Sequence, residues 1–288
     1  MDIIYRYDPY QPIECPRFDS AEDAAKALQA GNSRFGQMVQ RVQSEVLSGD
    51  AGQPIVVISN PLSLGFPLVS GKAPVQSPFG IILGCSDARA PIERIFDHSH
   101  NELFVVRVAG NVLGTECLGS IEYAARHFVD SVKLVVVLGH TGCGAVGAAV
   151  DLYLDPDAYG AIAETHALRS IVDRILVVVR VADKALERRC GLGRSNDPGY
   201  RQALWEMAVY LNAALTAHDL SRELQTAIAN GLQVVYGVYD LVTQKVEAAP
   251  RDEATFGPAP KTSAEFAALG DRLADSVLSC GILASPEG

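Results

Sequence analysis

Apolar positions along this chain follow one period near its start and another further on. From residue 20 to 48 they recur near helical spacing, with Ala24, Leu28, Phe35 and Met38 falling together, and the segment opens on Ser20-Ala21-Glu22-Asp23. That opening is a capping-box signature, in which a hydroxyl and an acid three residues later satisfy the free amides of a first helical turn. The spacing predicts an N-terminal helix or helix pair. Residues 53 to 78 are rich in Pro, Gly and Ser and read as loop, apart from a short apolar run at 55 to 58. The runs 79–83 and 103–108 are then short and mainly apolar, and 132–138 is nearly pure Val and Leu, as expected of strands covered on both faces. Between the last two, 116–129 has helical spacing.

Further along, 144–150 begins a helix of small residues, and 161–190 and 199–229 read as long amphipathic helices separated by the turn-rich 191–199. Residues 232–241 form one more strand, with 245–248 as its candidate partner across a turn at Thr243-Gln244, and 263–278 a last helix. Strand, helix, strand in this order predicts an α/β fold with a mostly parallel central sheet flanked by helices. A prior of roughly 150 residues per domain permits two domains. No Pro/Ser-rich linker separates two halves, so residues 1–288 are expected to form a single domain: an N-terminal helical arm at 20–48, a core at 79–248, and an extended peripheral helical segment at 151–200.

Composition narrows the function classes. The chain is 48% apolar and 20% charged, as a soluble globular protein is, and its formal charge of −10 repels phosphate backbones and anionic lipid. Nucleic acid and membrane surfaces are therefore excluded as expected partners, and a small-molecule substrate fits better. Residues 1–7 lack the basic start and apolar stretch of a secretory signal, and no run approaches the roughly 18 apolar residues of a membrane span, so the expected location is cytoplasmic. Six cysteines with irregular spacing are too sparse for a disulfide scaffold. Cys15, Cys117, Cys190 and Cys280 read as ordinary thiols.

Cys85 and Cys143 stand apart because of their neighbours. Cys85-Ser86-Asp87-Ala88-Arg89 ends one apolar run and His140-Thr141-Gly142-Cys143 ends another. Either motif alone matches by chance in many proteins. Together they supply two thiolates and one imidazole at strand ends, beside Gly84, Gly139, Gly142 and Gly144, which let the chain turn sharply and approach a ligand. Three such ligands without a fourth are the pattern of a catalytic zinc, whose remaining position holds water, because structural zinc sites usually close with four. Asp87 could accept a hydrogen bond from that water, and Arg89 could fix the carboxylate. His98 and His100 are expected as solvated or helix-terminal residues, and His127, His166 and His218 as surface or satisfied core residues of helices.

The whole set resembles the β-class carbonic anhydrases, in their plant-like subgroup, and the resemblance covers much of the chain. The family's Cys-x-Asp-x-Arg appears as Cys85, Asp87 and Arg89, and its His-x-x-Cys as His140 and Cys143. Residues 104–111 look like the family's second strand and following turn, 121–124 like its helix, 27–35 like the segment before the sheet, and 235–241 like the last core strand. The resemblance implies Zn2+ as cofactor, reversible hydration of carbon dioxide to bicarbonate and a proton, and a homodimer or an assembly of dimers. It also implies that Gln76, Phe104 and Tyr123 line the substrate pocket, with Gln76 donating a hydrogen bond. In the family, Asp87's equivalent either stays with its arginine or moves onto the metal and shuts the site. Two departures stand out: the interval from Tyr123 to His140 is longer than usual, and the segment 151–200 is extended.

Three competing readings use the same residues. Related folds with these ligands hydrolyse carbonyl sulfide or carbon disulfide, a difference that lies in tunnel shape. A zinc-stabilised binding module would have no use for the Asp87 and Arg89 pair. A redox role for Cys85 and Cys143 conflicts with both thiolates serving as ligands.

Overall fold

A computed structural model describes residues 3–7, 16–49, 52–59, 71–162 and 164–283. Its first part comprises β1 (Ile3–Tyr7), α1 (Ala21–Ser48), β2 (Ile55–Ser59), β3 (Gly80–Gly84), α2 (Ile92–Ile95), β4 (Leu103–Arg107), α3 (Thr115–His127), β5 (Leu134–His140) and α4 (Gly144–Leu154). There follow α5 (Tyr159–Ile162), α6 (His166–Cys190), α7 (Tyr200–Glu223), α8 (Gln225–Ala229), β6 (Gln233–Tyr239), β7 (Val246–Glu247), β8 (Gly257–Pro258) and α9 (Ser263–Ser279).

The central sheet runs β4-β3-β5-β6-β7, with β8 also paired to β6; β4, β3, β5 and β6 are mutually parallel, and only the short β7 and β8 run against them. Every residue of β3 and β5 is buried. Alternate side chains serve opposite faces, as the strand period requires. Ile81, Leu83, Val135 and Val137 join the core formed with α3, α4, α6, α7 and α9, while Ile82, Leu134, Val136 and Leu138 pack against α1 and α2. Burial on both faces is why these strands read as continuous apolar runs rather than alternating ones.

Ser20 caps the helix, its Oγ accepting from the Asp23 amide at 3.1 Å and donating to the Asp23 carboxylate at 2.7 Å, and one unbroken helix extends to Gly49, which closes it at φ 73°. The apolar run at 55–58, excepted from the surrounding loop, belongs to β2, paired in parallel with β1, whose apolar Ile3 and Ile4 meet Ile55 and Val56. Two elements depart from the sequence reading. The long helix expected at 199–229 breaks at Leu224 into α7 and α8. The segment 151–200 reaches beyond the periphery, since α6 buries Ile175, Val178, Val179, Ala182 and Leu186 in the main core. Its buried Asp183 accepts hydrogen bonds from Tyr153 and Tyr200, which satisfy one oxygen each at 2.8 and 2.5 Å.

The arm is bolted to the core at two adjacent residues. A Cβ on Gly31 would lie 1.7 Å from the Phe96 carbonyl oxygen, so α1 crosses the end of α2 at backbone contact. Next to it, Asn32 Nδ2 donates to the Ile95 and Gln244 carbonyls at 3.0 Å each, and its Oδ1 accepts from the Val246 amide at 2.9 Å. Alanine is better than glycine in a helix by about 1 kcal/mol. Gly31→Ala is nevertheless expected to lower the urea midpoint followed by circular dichroism, because a backbone carbonyl cannot rotate away as a side chain could. An unchanged or raised midpoint would show that α1 does not dock at this point.

Candidate metal centre

The parallel register brings both motifs to the same edge of the sheet. Gly84, the last residue of β3, lies opposite Leu138 of β5, so Cys85 and His140 leave neighbouring strands within two residues of each other's level. Thr141 and Gly142 then reverse the chain, with Gly142 at φ 66°, a backbone state that favours glycine, and Cys143 becomes the residue that starts α4. The two sulfurs and one imidazole nitrogen lie within 4.8 Å of one another, and all three residues are buried. They are the one such cluster found among the described residues.

His140 supplies the test of whether a metal fits. Its Nδ1 lies 3.0 Å from the Thr141 carbonyl, which fixes the proton there and leaves the lone pair on Nε2. That Nε2 is buried with no hydrogen-bond partner, on a residue 1% exposed. A buried, unsatisfied nitrogen is costly unless something fills its lone pair. A cation shared with two sulfurs does so, and two thiolates with an imidazole suit zinc.

Protonation is uneven across the cluster. Cys143 beside it, then His140 and the amides of Asp87 and Gly110, hold the Cys85 thiol down at about 4 against the opposing effect of burial. Cys143 is pushed up, by Cys85 first and by burial second, although the Ala145 and Val146 amides at the start of α4 pull the other way. Burial depresses His140, and the neighbouring Cys85 more than offsets it, so the imidazole sits above its ordinary value. Of the two thiols, Cys85 is thus the readier to ionise.

Asp87 and Arg89 form the pair expected of them. Asp87 Oδ1 accepts from the Arg89 amide at 2.8 Å and from its Nε at 3.0 Å, and Oδ2 accepts from Nη2 at 2.7 Å. The Arg89 guanidinium is the main reason that the Asp87 carboxyl lies well below the usual carboxylate range. Asp87 Oδ2 stands 3.7 Å from His140 Nε2, beside the ligand cluster without joining it. Arg89 Nη2 also reaches the Gly142 carbonyl at 3.4 Å and so links the two motifs.

Gln76, Phe104 and Tyr123 do not join this cluster within one chain. Gln76 is exposed and precedes β3, at the amino edge of the sheet, whereas Cys85 leaves its carboxyl edge; five strand residues at about 3.3 Å each separate the edges. The neighbouring Val75 carbonyl and Ser77 amide are held by Asn101. Phe104 pairs with Ile81 and packs on Phe128, and Tyr123 is exposed near the end of α3, stacked on His127 at 3.9 Å. His98 is helix-terminal as expected but shielded rather than solvated: its side chain is 10% exposed, contacts the Phe79 ring and lies 2.6 Å from Glu102. Cys15 lies outside the described residues, and the other five cysteines are free.

Arg107 is a supporting residue that the motifs do not flag. Its Nε donates to the Cys85 carbonyl at 2.9 Å and its Nη2 to the Asp87 carbonyl at 2.6 Å, fixing the loop that carries the first ligand and the acid. The available signal was a lone cation closing the otherwise apolar run of β4.

A sequence model of the carbonic anhydrase family matches residues 80–246. Carbonic anhydrase 2 of Mycobacterium tuberculosis is 33% identical over 215 residues, covering 75% of this chain and 86% of that protein. The carbonic anhydrase of Mycolicibacterium smegmatis is also 33% identical, over 225 residues, covering 78% of this chain and 91% of its own. Among solved structures, a Coccomyxa β-carbonic anhydrase in complex with acetazolamide aligns with 25% identity, 75% of this chain, 84% of that chain and a TM-score of 0.47. With the family match covering the four parallel strands of the core and both ligand motifs, and with two cysteine sulfurs, one imidazole and an Asp–Arg pair gathered at one sheet edge, this chain belongs to the β-class carbonic anhydrases.

Proposed function

We propose that the protein catalyses the reversible hydration of carbon dioxide to bicarbonate and a proton, with one zinc ion held by Cys85, His140 and Cys143. The observation that carries this reading is the orphaned His140 Nε2, which faces two sulfurs and has an ionised Asp87 at 3.7 Å. When bound, zinc brings the pKa of a coordinated water from 15.7 down to about 7 and so makes a nucleophile available at neutral pH.

The chain's own residues do the rest. Asp87, kept anionic by Arg89, accepts a hydrogen bond from the nucleophile and turns its lone pair toward carbon dioxide. With one proton of the water released to solvent, the remaining hydroxide oxygen would bond to carbon while one carbon–oxygen π pair moves onto oxygen, giving bicarbonate. Both Asp87 oxygens are engaged by Arg89, which supports the arrangement in which the carboxylate stays off the metal. Relatives matched over most of their length are named carbonic anhydrases, which favours carbon dioxide over carbonyl sulfide or carbon disulfide as substrate. A cytoplasmic location belongs to the same proposal, supported by five free cysteines among the described residues, as a reducing compartment allows. No helix among them is long and apolar enough to cross a membrane.

Gln76, Phe104 and Tyr123 serve as pocket residues in this proposal when a second copy presents them. In support, β4 lies at an open edge of the sheet, Tyr123 is 49% exposed, and Val46 and Leu47 at the end of α1 are 77% and 88% exposed. A twofold pairing would cover such surfaces and place each chain's amino edge near its partner's ligands.

Asp87→Asn is expected to retain about one zinc per chain while losing about 10²–10⁴-fold in the hydration rate, since an amide cannot act as the anionic acceptor. Stopped-flow hydration assays beside metal analysis check this. Near-normal turnover in the zinc-replete variant would assign the carboxylate another task, and sulfide release exceeding hydration in the wild type would reassign the substrate. Sedimentation at micromolar concentration is expected to give a dimer or a multiple of dimers. A monomer with full hydration activity would overturn the shared pocket.

A further inference from the structure

One face of α7 backs the metal centre, and two of its side chains reach the two cysteine loops separately. Trp205 Nε1 donates to the Cys143 carbonyl at 2.9 Å. Asn212, seven residues and thus about two helical turns further on, donates through Nδ2 to the Gly110 carbonyl at 2.7 Å. The Gly110 amide in turn lies 3.3 Å from Cys85 Sγ and donates to it. Each sulfur ligand is therefore tied to α7 through the backbone of one residue, Cys143 through its own carbonyl and Cys85 through Gly110.

The Trp205 contact does not read as ordinary filling of a carbonyl. Cys143 O already accepts from the Gly147 amide at 2.9 Å, so it would be satisfied without the indole. The indole is seated with care: α4 presents Gly147, where a Cβ would lie 3.1 Å from two Trp205 ring carbons, and Arg201 covers the ring with its guanidinium 5.0 Å from the centroid. Arg201 is itself held by two bonds to Asp151 of α4, at 2.6 and 2.8 Å. Asn212 is 3% exposed within an apolar stretch of helix, a place where an amide is costly unless its bonds are made. Gly110 is at φ 66°, and a Cβ there would meet Ile175 at 2.9 Å and Ala145 at 3.1 Å. Gly110, whose amide faces Cys85, is thus confined on one side by packing and held on the other, through its carbonyl, by Asn212.

We propose that Trp205 and Asn212 are positioning residues that set the metal affinity and the sulfur donor strength of this site, Trp205 through the start of α4 and Cys143, Asn212 through the Gly110 amide and Cys85. The inference rests on the metal reading above. An N–H donated to a thiolate draws charge from the sulfur, so a misaligned Gly110 amide leaves Cys85 a stronger donor toward the metal. A displaced Cys143 loosens the ligand set as a whole. Changes in groups that orient metal ligands typically lower affinity by about 10–100-fold.

The test uses the full chain with cobalt(II) and zinc(II) as probes, in wild type, Trp205→Phe, Asn212→Leu and, as a control on an exposed position of α7, Gln202→Ala. Trp205→Phe removes the N–H and keeps an aromatic ring. Chelator competition should show zinc affinity lowered by about tenfold or more in Trp205→Phe and unchanged in Gln202→Ala. The sulfur-to-cobalt charge-transfer band should move to lower energy in Asn212→Leu, a shift that loss of stability alone does not produce. Asn212→Ser gives the same reading if the leucine variant does not fold. Wild-type affinity and an unshifted band in Trp205→Phe and the Asn212 variant would overturn the positioning roles while leaving the metal assignment standing. A wild-type chain that takes up neither metal would overturn both.

Discussion

Everything at the candidate centre depends on the register of two parallel strands. Because Gly84 pairs with Leu138, the residues that follow β3 and close β5 emerge side by side, and a single reversal at Gly142 returns Cys143 to the same point. A slip of one residue would send every inward side chain of a strand to the opposite face. Here that slip is opposed on both sides of the sheet, since Ile82, Leu134, Val136 and Leu138 are committed to one core and Ile81, Leu83, Val135 and Val137 to the other. The chemistry is thus held by apolar packing that takes no part in it.

Burial then makes the ligands want a metal. Two sulfurs and an imidazole nitrogen without a partner sit together on residues that are all buried, where charge and unsatisfied lone pairs are expensive. Asp87 is treated differently. Its charge is matched by the bidentate Arg89, whose guanidinium remains largely in solvent, so the carboxylate stays ionised next to the ligands without belonging to them. One edge of the sheet therefore offers both a place for a cation and an anionic hydrogen-bond acceptor beside it, which is the division of labour that hydration of carbon dioxide requires.

Much of this was legible in the sequence because short-range signals carried it. The pure Val/Leu run of β5, the capping box at Ser20 and the two ligand motifs each depend on residues within a few positions of one another. What escaped depends on distant partners. The strand at 55–58 has a partner at the far end of α1, so nothing local separates it from an apolar piece of loop. Arg107, Trp205 and Asn212 act on backbone carbonyls, which impose no residue type at the receiving end and leave no motif. Nothing close in sequence to Asn212 or to Trp205, the chain's single tryptophan, points either residue toward the ligand motifs. The pocket residues show the same limit, because Gln76 matches its motif while one chain's fold sets it at the opposite sheet edge.

The central claim, that three side chains from two strand ends hold one zinc, is tested most directly by X-ray absorption at the zinc edge of the metal-loaded protein. Cys85, His140 and Cys143 predict two sulfur neighbours at about 2.3 Å together with nitrogen or oxygen neighbours at about 2.0–2.2 Å. A shell of four sulfurs, or one with no sulfur, would contradict the account.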